Sequence, residues 1–146
     1  MAEPLVLSRR EGDVVVLTLS DPERRNAMTE PMGRALSAQV ALLSRDESVR
    51  AVVLTGAGRA FSAGGDLGMI EAKGAAGRAD PGGAARARNQ QEMQAFYRLF
   101  LAVRDLPCPT LAAINGAAIG AGLLAAQRRL GCRWPSPSFS PVARAT

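Results

Sequence analysis

The chain contains no histidine. Every imidazole-based triad, proton relay and histidine metal cluster is thereby excluded, and acid-base chemistry falls to carboxylates, the single tyrosine or the thiols. Only two cysteines are present, Cys108 and Cys132. Two thiols make neither a secreted disulfide scaffold nor the ligand set of a structural zinc site, so no metal site is expected. Long apolar runs are also lacking. The longest, from Leu111 to Ala126, is interrupted by Asn115 and falls short of the ~20 residues that cross a bilayer. The N-terminus MAEPLV has no basic segment followed by an apolar run, and Glu11 and Asp13 stand where a secretory core would be apolar. A mature cytoplasmic protein with no membrane span is the expectation.

What is present fits one domain: 146 residues, 47% hydrophobic and 21% charged, enough for one core and its surface. The formal charge of +5 suggests an anionic partner until its distribution is examined. Through Asp105 the chain has 14 basic and 13 acidic residues, whereas from Leu106 onward it has four arginines and no acid. Those arginines, at 128, 129, 133 and 144, are scattered through a proline- and serine-containing end rather than gathered on one face, so no nucleic-acid partner is expected.

Leu5–Ser8 and Val14–Ser20 are β-prone runs joined by Arg9-Arg10-Glu11-Gly12-Asp13, which reads as a hairpin. The second run, VVVLTLS, is apolar enough to be buried on both faces. Asp21-Pro22 ends it. Thr29 then caps a helix that opens at Glu30 and Pro31, with Met32, Leu36, Val40 and Leu43 as its buried stripe. Ala51–Thr55 is a second apolar strand, so strand, helix and strand form a βαβ crossover. Between Gly68 and Arg88 the composition turns to Ala, Gly, Arg and Lys with little to bury, and a mobile loop over a site is expected. Met93, Phe96, Tyr97, Phe100, Leu101 and Val103 have helical spacing and stop before Pro107-Cys108-Pro109. Thr110–Ile114 is a third strand, and Asn115-Gly116 turns the chain towards Gly120-Ala121-Gly122, where another helix is expected to open.

Two strand ends, after Thr55 and after Ile114, thus lead into small-residue turns. In an α/β architecture such turns lie at the carboxyl ends of strands, where ligands bind, and expose backbone N–H groups to negative charge. One glycine turn is commonly only a bend, but two can converge. An N–H from each, with Gly65 and Ala121 as candidates, forms an oxyanion hole for an enolate or tetrahedral oxygen. Nucleotide fingerprints are missing: there is no GxxxxGK[ST], and GAGRAF breaks the closely spaced glycine pattern of dinucleotide sites.

Three segments, RRNAM at 24–28, VVLTGAGRAFSAGGDL at 52–67 and PTLAAINGAAIGAGL at 109–123, stand in an order that resembles the enoyl-CoA hydratase/isomerase (crotonase) family. The resemblance covers residues 5–124. It implies an α/β fold, the crotonase-like ββα spiral, here incomplete, with residues 1–123 as the N-terminal part of the acyl-CoA domain and 124–146 as an atypical tail. It implies an acyl-CoA or enoyl-CoA thioester as substrate, coenzyme A entering only as part of it with no separate cofactor, and homotrimers or hexamers at full length. Carried over by position, Gly65 and Ala121 are the two backbone oxyanion donors, and Ala63, Gly65, Asp66, Leu67, Gly68 and Ala121 border the substrate. Asp66 has two readings: its carboxylate caps a helix that begins at Leu67, or it touches substrate. Arg24 and Arg25 either approach the CoA phosphates or are solvated surface. Ser62 and Thr55 read as turn and strand-end residues, no base being placed to activate them.

One departure governs the reaction. Hydratases of the family use two glutamates, and the position of the first is Leu124 here, while the second falls where the chain has no acid at all. Two-carboxylate hydration is therefore not expected, although other chemistry on the same enolate is. After Leu123 the resemblance ends in LAAQRRLGCRWPSPSFSPVARAT, where Gly131 and prolines 135, 137 and 141 preclude a helical continuation. Family chains are usually well over a hundred residues longer, and a truncated product or a shifted frame is the simplest account. The sequence leaves three readings: a catalytic acyl-CoA enzyme or a piece of one, a noncatalytic acyl-CoA-binding remnant, and an unrelated α/β protein.

Overall fold

Gly12 and Asp13 are all that separates the first two strands in the computed structural model, which describes residues 3–79, 83–120 and 131–133. Strand β1 (Val6–Glu11) pairs antiparallel with β2 (Val14–Leu19), Glu11 facing Val14 across the turn. The turn needs a left-handed residue, and Gly12 supplies it at φ +63° without the Cβ conflict another residue would meet. The first strand therefore runs three residues past the expected Ser8, because β-pairing carries Arg9, Arg10 and Glu11 along the sheet edge. Arg9–Glu11 and Arg10–Asp46 ion pairs, at 2.7 and 2.8 Å, leave that edge charged, which discourages pairing with another chain.

Helix α1 (Glu30–Leu43) begins as expected: Thr29 is extended, its hydroxyl accepts from Met32 N at 3.4 Å, and Pro31 lies in the first turn. Met32, Leu36 and Val40 are buried along one stripe. Strand β3 (Ala51–Gly56) then pairs parallel with β2, Val15 opposite Val52 and Leu17 opposite Leu54. This is the expected βαβ unit. A second crossover returns to β5 (Thr110–Ala113), parallel to β3, and β7 (Gly131–Arg133) adds parallel to β5. The main sheet has the order β1-β2-β3-β5-β7. Its β7 lies inside the segment expected as an atypical tail, of which the remainder, like Leu124, lies outside the described residues.

One face of the sheet is sealed. Val15, Leu17, Leu19, Val52, Leu54 and Ala112 share a single buried cluster with Met32, Leu36 and Val40 of α1 and with Phe96 and Phe100 of α3 (Ala84–Leu101). The other face is only half-buried, since Val14, Val16 and Thr18 alternate with the buried residues of β2. Burial of β2 on both faces, as its unbroken apolar run suggested, is thus corrected to alternation.

Two further expectations change. Residues 68–78 and 84–88 are helical rather than loop: α2 spans Leu67–Arg78, and α3 opens at Ala84 after Gly83 at φ +77°. Alanine, arginine, lysine and glutamate are strong helix formers even without an apolar stripe, and that propensity outweighs the glycines. In α3, Phe96 and Phe100 point inward with ring centroids 5.2 Å apart, while Tyr97 and Leu101 are exposed. Residues one position from a buried pair lie about 100° around the helix, so the stripe is narrower than six apolar positions implied. Among the described residues no helix is long and apolar enough to cross a membrane.

Candidate functional site

Beyond β3 the chain doubles back within a few residues. A Cβ on Gly56 would overlap the carbonyl oxygens of Ala60 and Phe61, so only glycine permits the reversal that leads to β4 (Ala60–Ser62). Asn26 lies beneath the turn. It is fully buried and left-handed at φ +53°, its Oδ1 accepts from Asp21 N, and its Nδ2 donates to the carbonyls of Ala57 and Ala60, each at 2.9 Å. Asparagine tolerates this backbone conformation better than most residues and brings both a donor and an acceptor.

A second short strand meets β4. β6 (Ala117–Ala118) runs parallel to it, Ala60 opposite Ala117 and Ser62 opposite Ala118. Gly116 makes the approach possible, because a Cβ there would overlap the carbonyl of Arg59. Asn115 locks the same corner: its Nδ2 donates to the carbonyls of Gly56 and Gly58 at 2.8 and 2.9 Å, and its Oδ1 accepts from Gly56 N at 3.1 Å. Past the strands, Ile119 N donates to the carbonyl of Ser62 at 3.0 Å. The turn after β4, from Ala63 to Gly65, and the residues after β6, Ile119 and Gly120, the latter at φ +53°, therefore follow the same ends of paired parallel strands.

The first turn is well defined. Ala63 N donates to the carbonyl of Arg25 at 2.9 Å, and Met28 N to that of Gly64 at 2.7 Å. Gly64 is buried with φ +84°, and Gly65 is half-exposed. Met28 and Gly65 form a parallel bridge. In a bridge of this register the hydrogen bonds run through the groups flanking Gly65, so the N–H of Gly65 takes no part in it. The N–H of Gly65 thus lies outside the ladder, on a half-buried residue that follows β4.

The expected site residues divide accordingly. Ala63, Gly65 and Asp66 form one continuous turn that leads into Leu67 and an exposed Gly68 at the start of α2. Asp66 directly precedes α2, and its Oδ1 lies 3.3 Å from the place of a Cβ on Gly68, the position of the capping reading. Arg24 and Arg25 are exposed, Arg24 ending a 3-10 turn (Pro22–Arg24) and Arg25 left-handed at φ +52°. The Ala63–Arg25 bond brings this pair beside the glycine turn. Ala121 lies outside the described residues, one position after Gly120. Ser62 and Thr55 are polar anchors: Ser62 Oγ donates to the carbonyl of Asn26 at 2.8 Å, and Thr55 Oγ1 to that of Ala113 at 2.8 Å. Neither asparagine that organises these turns is among the expected site residues, although Asn115 reads as a turn residue in the sequence. The available signal is an Asn within each loop, since asparagine favours left-handed and turn positions. No cluster of three or more metal-ligating side chains occurs among the described residues.

Known proteins resemble the chain in sequence and in fold. The sequence pattern described as "Enoyl-CoA hydratase/isomerase" matches residues 9–127. A probable enoyl-CoA hydratase of Mycobacterium tuberculosis is 41% identical over 121 residues, covering 83% of this chain and 43% of the relative. A 1,2-epoxyphenylacetyl-CoA isomerase of Escherichia coli is 36% identical over 117 residues, 80% of this chain and 42% of the relative. The crystal structure of an enoyl-CoA hydratase from Mycobacterium smegmatis superposes with a TM-score of 0.66 at 39% identity, over 82% of this chain and 43% of that one. The chain thus spans less than half the length of these relatives.

Proposed function

Because the chain belongs to the enoyl-CoA hydratase/isomerase family, we propose that it binds an acyl-CoA or enoyl-CoA thioester with the thioester carbonyl at the two glycine turns. Gly65 N–H is the first donor and Ala121 N–H the second. Both act through the backbone, polarising the carbonyl and holding the negative charge that develops as an enolate forms. The observation that carries this reading is the β4–β6 pairing, which sets the turn of Gly65 beside the turn of Gly120. Ala63, Leu67 and Gly68 border the acyl group, Asp66 caps α2, and Arg24 and Arg25 approach the phosphates of the coenzyme.

Hydration needs carboxylates to orient water and move a proton. With leucine at 124 and no acid after Asp105, the proposed chemistry is enolate stabilisation without two-carboxylate hydration; double-bond isomerisation is such a reaction and takes one base, which carries a single proton between two carbons. The same observation favours a second reading, acyl-CoA binding without turnover. Titrating the purified chain with crotonyl-CoA, beside a Gly65→Val variant, tests the site. Saturable binding lost in Gly65→Val is expected, and binding that is absent or insensitive to the substitution overturns the proposal. Isomerisation without hydration of enoyl-CoA supports the first reading, and neither activity supports the second. Assembly as trimers or hexamers is part of the same proposal, with sedimentation velocity as its test.

A further inference from the structure

Gly64 is the weak point of the proposed donor turn. It precedes the donor, it lacks a side chain, and its φ of +84° lies in a region that glycine enters and leaves freely. Small rotations about its two dihedrals would swing the N–H of Gly65 away from any bound oxygen. Two hydrogen bonds hold it, one on each side. The carbonyl of Gly64 accepts from Met28 N at 2.7 Å. That carbonyl and the N–H of Gly65 belong to one planar trans peptide unit and point in opposite directions, so the bond from Met28 aims the Gly65 N–H away from Met28. The N–H of Gly64, in the preceding peptide unit, donates to Ser62 Oγ at 3.2 Å.

Ser62 is suited to that task. It is 1% exposed, its hydroxyl proton is committed to the carbonyl of Asn26 at 2.8 Å, and its lone pairs are thereby left for Gly64. Its own carbonyl accepts from Ile119 N at 3.0 Å, which ties it to the second turn. Asn26 is fixed in turn by three hydrogen bonds of its side chain. We infer that Ser62 is a positioning residue, whose hydroxyl clamps Gly64 between Asn26 and Met28 and so fixes the direction of the Gly65 N–H towards a thioester oxygen. This rests on the proposed oxyanion role of Gly65.

The test is isotope-edited infrared spectroscopy of crotonyl-CoA labelled with 13C at the thioester carbonyl, bound to the full chain. Polarisation by the Gly65 N–H lowers the carbonyl frequency, a readout that folding stability alone does not move. The parent is expected to show a lowered frequency, and Ser62→Ala to lose much of that lowering and about tenfold in crotonyl-CoA affinity, with free coenzyme A bound as before. Ser62→Cys, which keeps the shape and a weaker acceptor, is expected to fall between them, and it carries the comparison if Ser62→Ala does not fold. Faster amide exchange at Gly64 in the ligand-free variants supports the clamp independently. A carbonyl frequency lowered in both variants as far as in the parent overturns the role of Ser62 and leaves the proposed function standing. A parent whose bound carbonyl is not lowered, or is lowered equally in Gly65→Val, overturns the oxyanion role of Gly65 and the inference with it.

Discussion

Asn115 grips Gly56 from both sides: its Oδ1 accepts from the Gly56 N–H at 3.1 Å and its Nδ2 donates to the Gly56 carbonyl at 2.8 Å. The two residues are 59 positions apart, and the link joins the end of β3 to the segment between β5 and β6. Asn115→Ala leaves the part-buried N–H and carbonyl of Gly56 without these partners, whereas the exposed carbonyl of Gly58 turns to solvent. A loss of about 2 kcal/mol in unfolding free energy is expected, read from urea denaturation. Asn115→Asp is expected to be worse at neutral pH than at pH 4, since it sets a negative charge against the carbonyl oxygens of Gly56 and Gly58.

Packing of α1 on α3 provides a second prediction, in which two effects oppose each other. Replacing a helical glycine by alanine gains about 1 kcal/mol in propensity. A Cβ on Gly33, however, would lie 2.8 Å from Phe100 Cε2 and 2.9 Å from Leu99 Cβ, forcing the helices apart in a close-packed core. Gly33→Ala is expected to lower the thermal midpoint. Gly74→Ala in α2, where a Cβ would meet only the flexible end of Arg78, is expected to leave it unchanged or raise it.

The strand junction at Gly116 is less forgiving, because the obstacle is backbone. Gly116→Ala drives a Cβ into the carbonyl of Arg59 and must separate β4 from β6. A cost of about 3 kcal/mol is expected in chemical denaturation. Thioester affinity should fall with it, since the two turns depend on that pairing.

Asp46 gives the pH dependence. Hydrogen bonds from Ser48 and the Arg10 guanidinium hold its carboxyl down to about 2, from an ordinary value of 3.8. A carboxylate depressed in the folded state contributes its stabilisation in full above the unfolded value and loses it as pH falls through the folded one. Stability is therefore expected to drop between about pH 4 and pH 2. Asp46→Asn should flatten that part of the profile in acid titrations followed by circular dichroism. The group is exposed, so the effect is expected to shrink as salt is raised.

Arg24 and Arg25 supply a charge test of the coenzyme end of the proposed site. Reversing both to glutamate is expected to weaken crotonyl-CoA binding about tenfold at low salt. Adding ~0.5 M salt should narrow the gap between variant and parent, because exposed charges are screened. Equal affinities at low salt would show that the pair is solvated surface.

Much of the frame was already legible in the residues. The hairpin, α1 with its Thr29 cap, the parallel pairing of β2 with β3, and β5 follow from local rules: a left-handed glycine, a capping hydroxyl, a buried stripe and apolar runs of strand length. The enoyl-CoA hydratase/isomerase family was equally legible, because its three segments occur in order. Helix α2 and the early start of α3 were not, since their residues favour helix without presenting a periodic apolar face. Strands β4 and β6 escaped notice because two or three residues among glycines carry no pattern of their own.

The amino-acid order by itself determined which groups are available: no imidazole, no acid beyond Asp105, and glycines at both strand ends. Only the tertiary structure decided which of them meet. Asn26 binds carbonyls more than thirty residues away, Asn115 binds carbonyls and an N–H more than fifty residues away, and the Ser62 hydroxyl reaches the carbonyl of Asn26 across thirty-six. Such pairings reflect where crossover connections return the chain. A hydrogen bond depends on distances of about 3 Å between atoms, which no spacing along the sequence specifies.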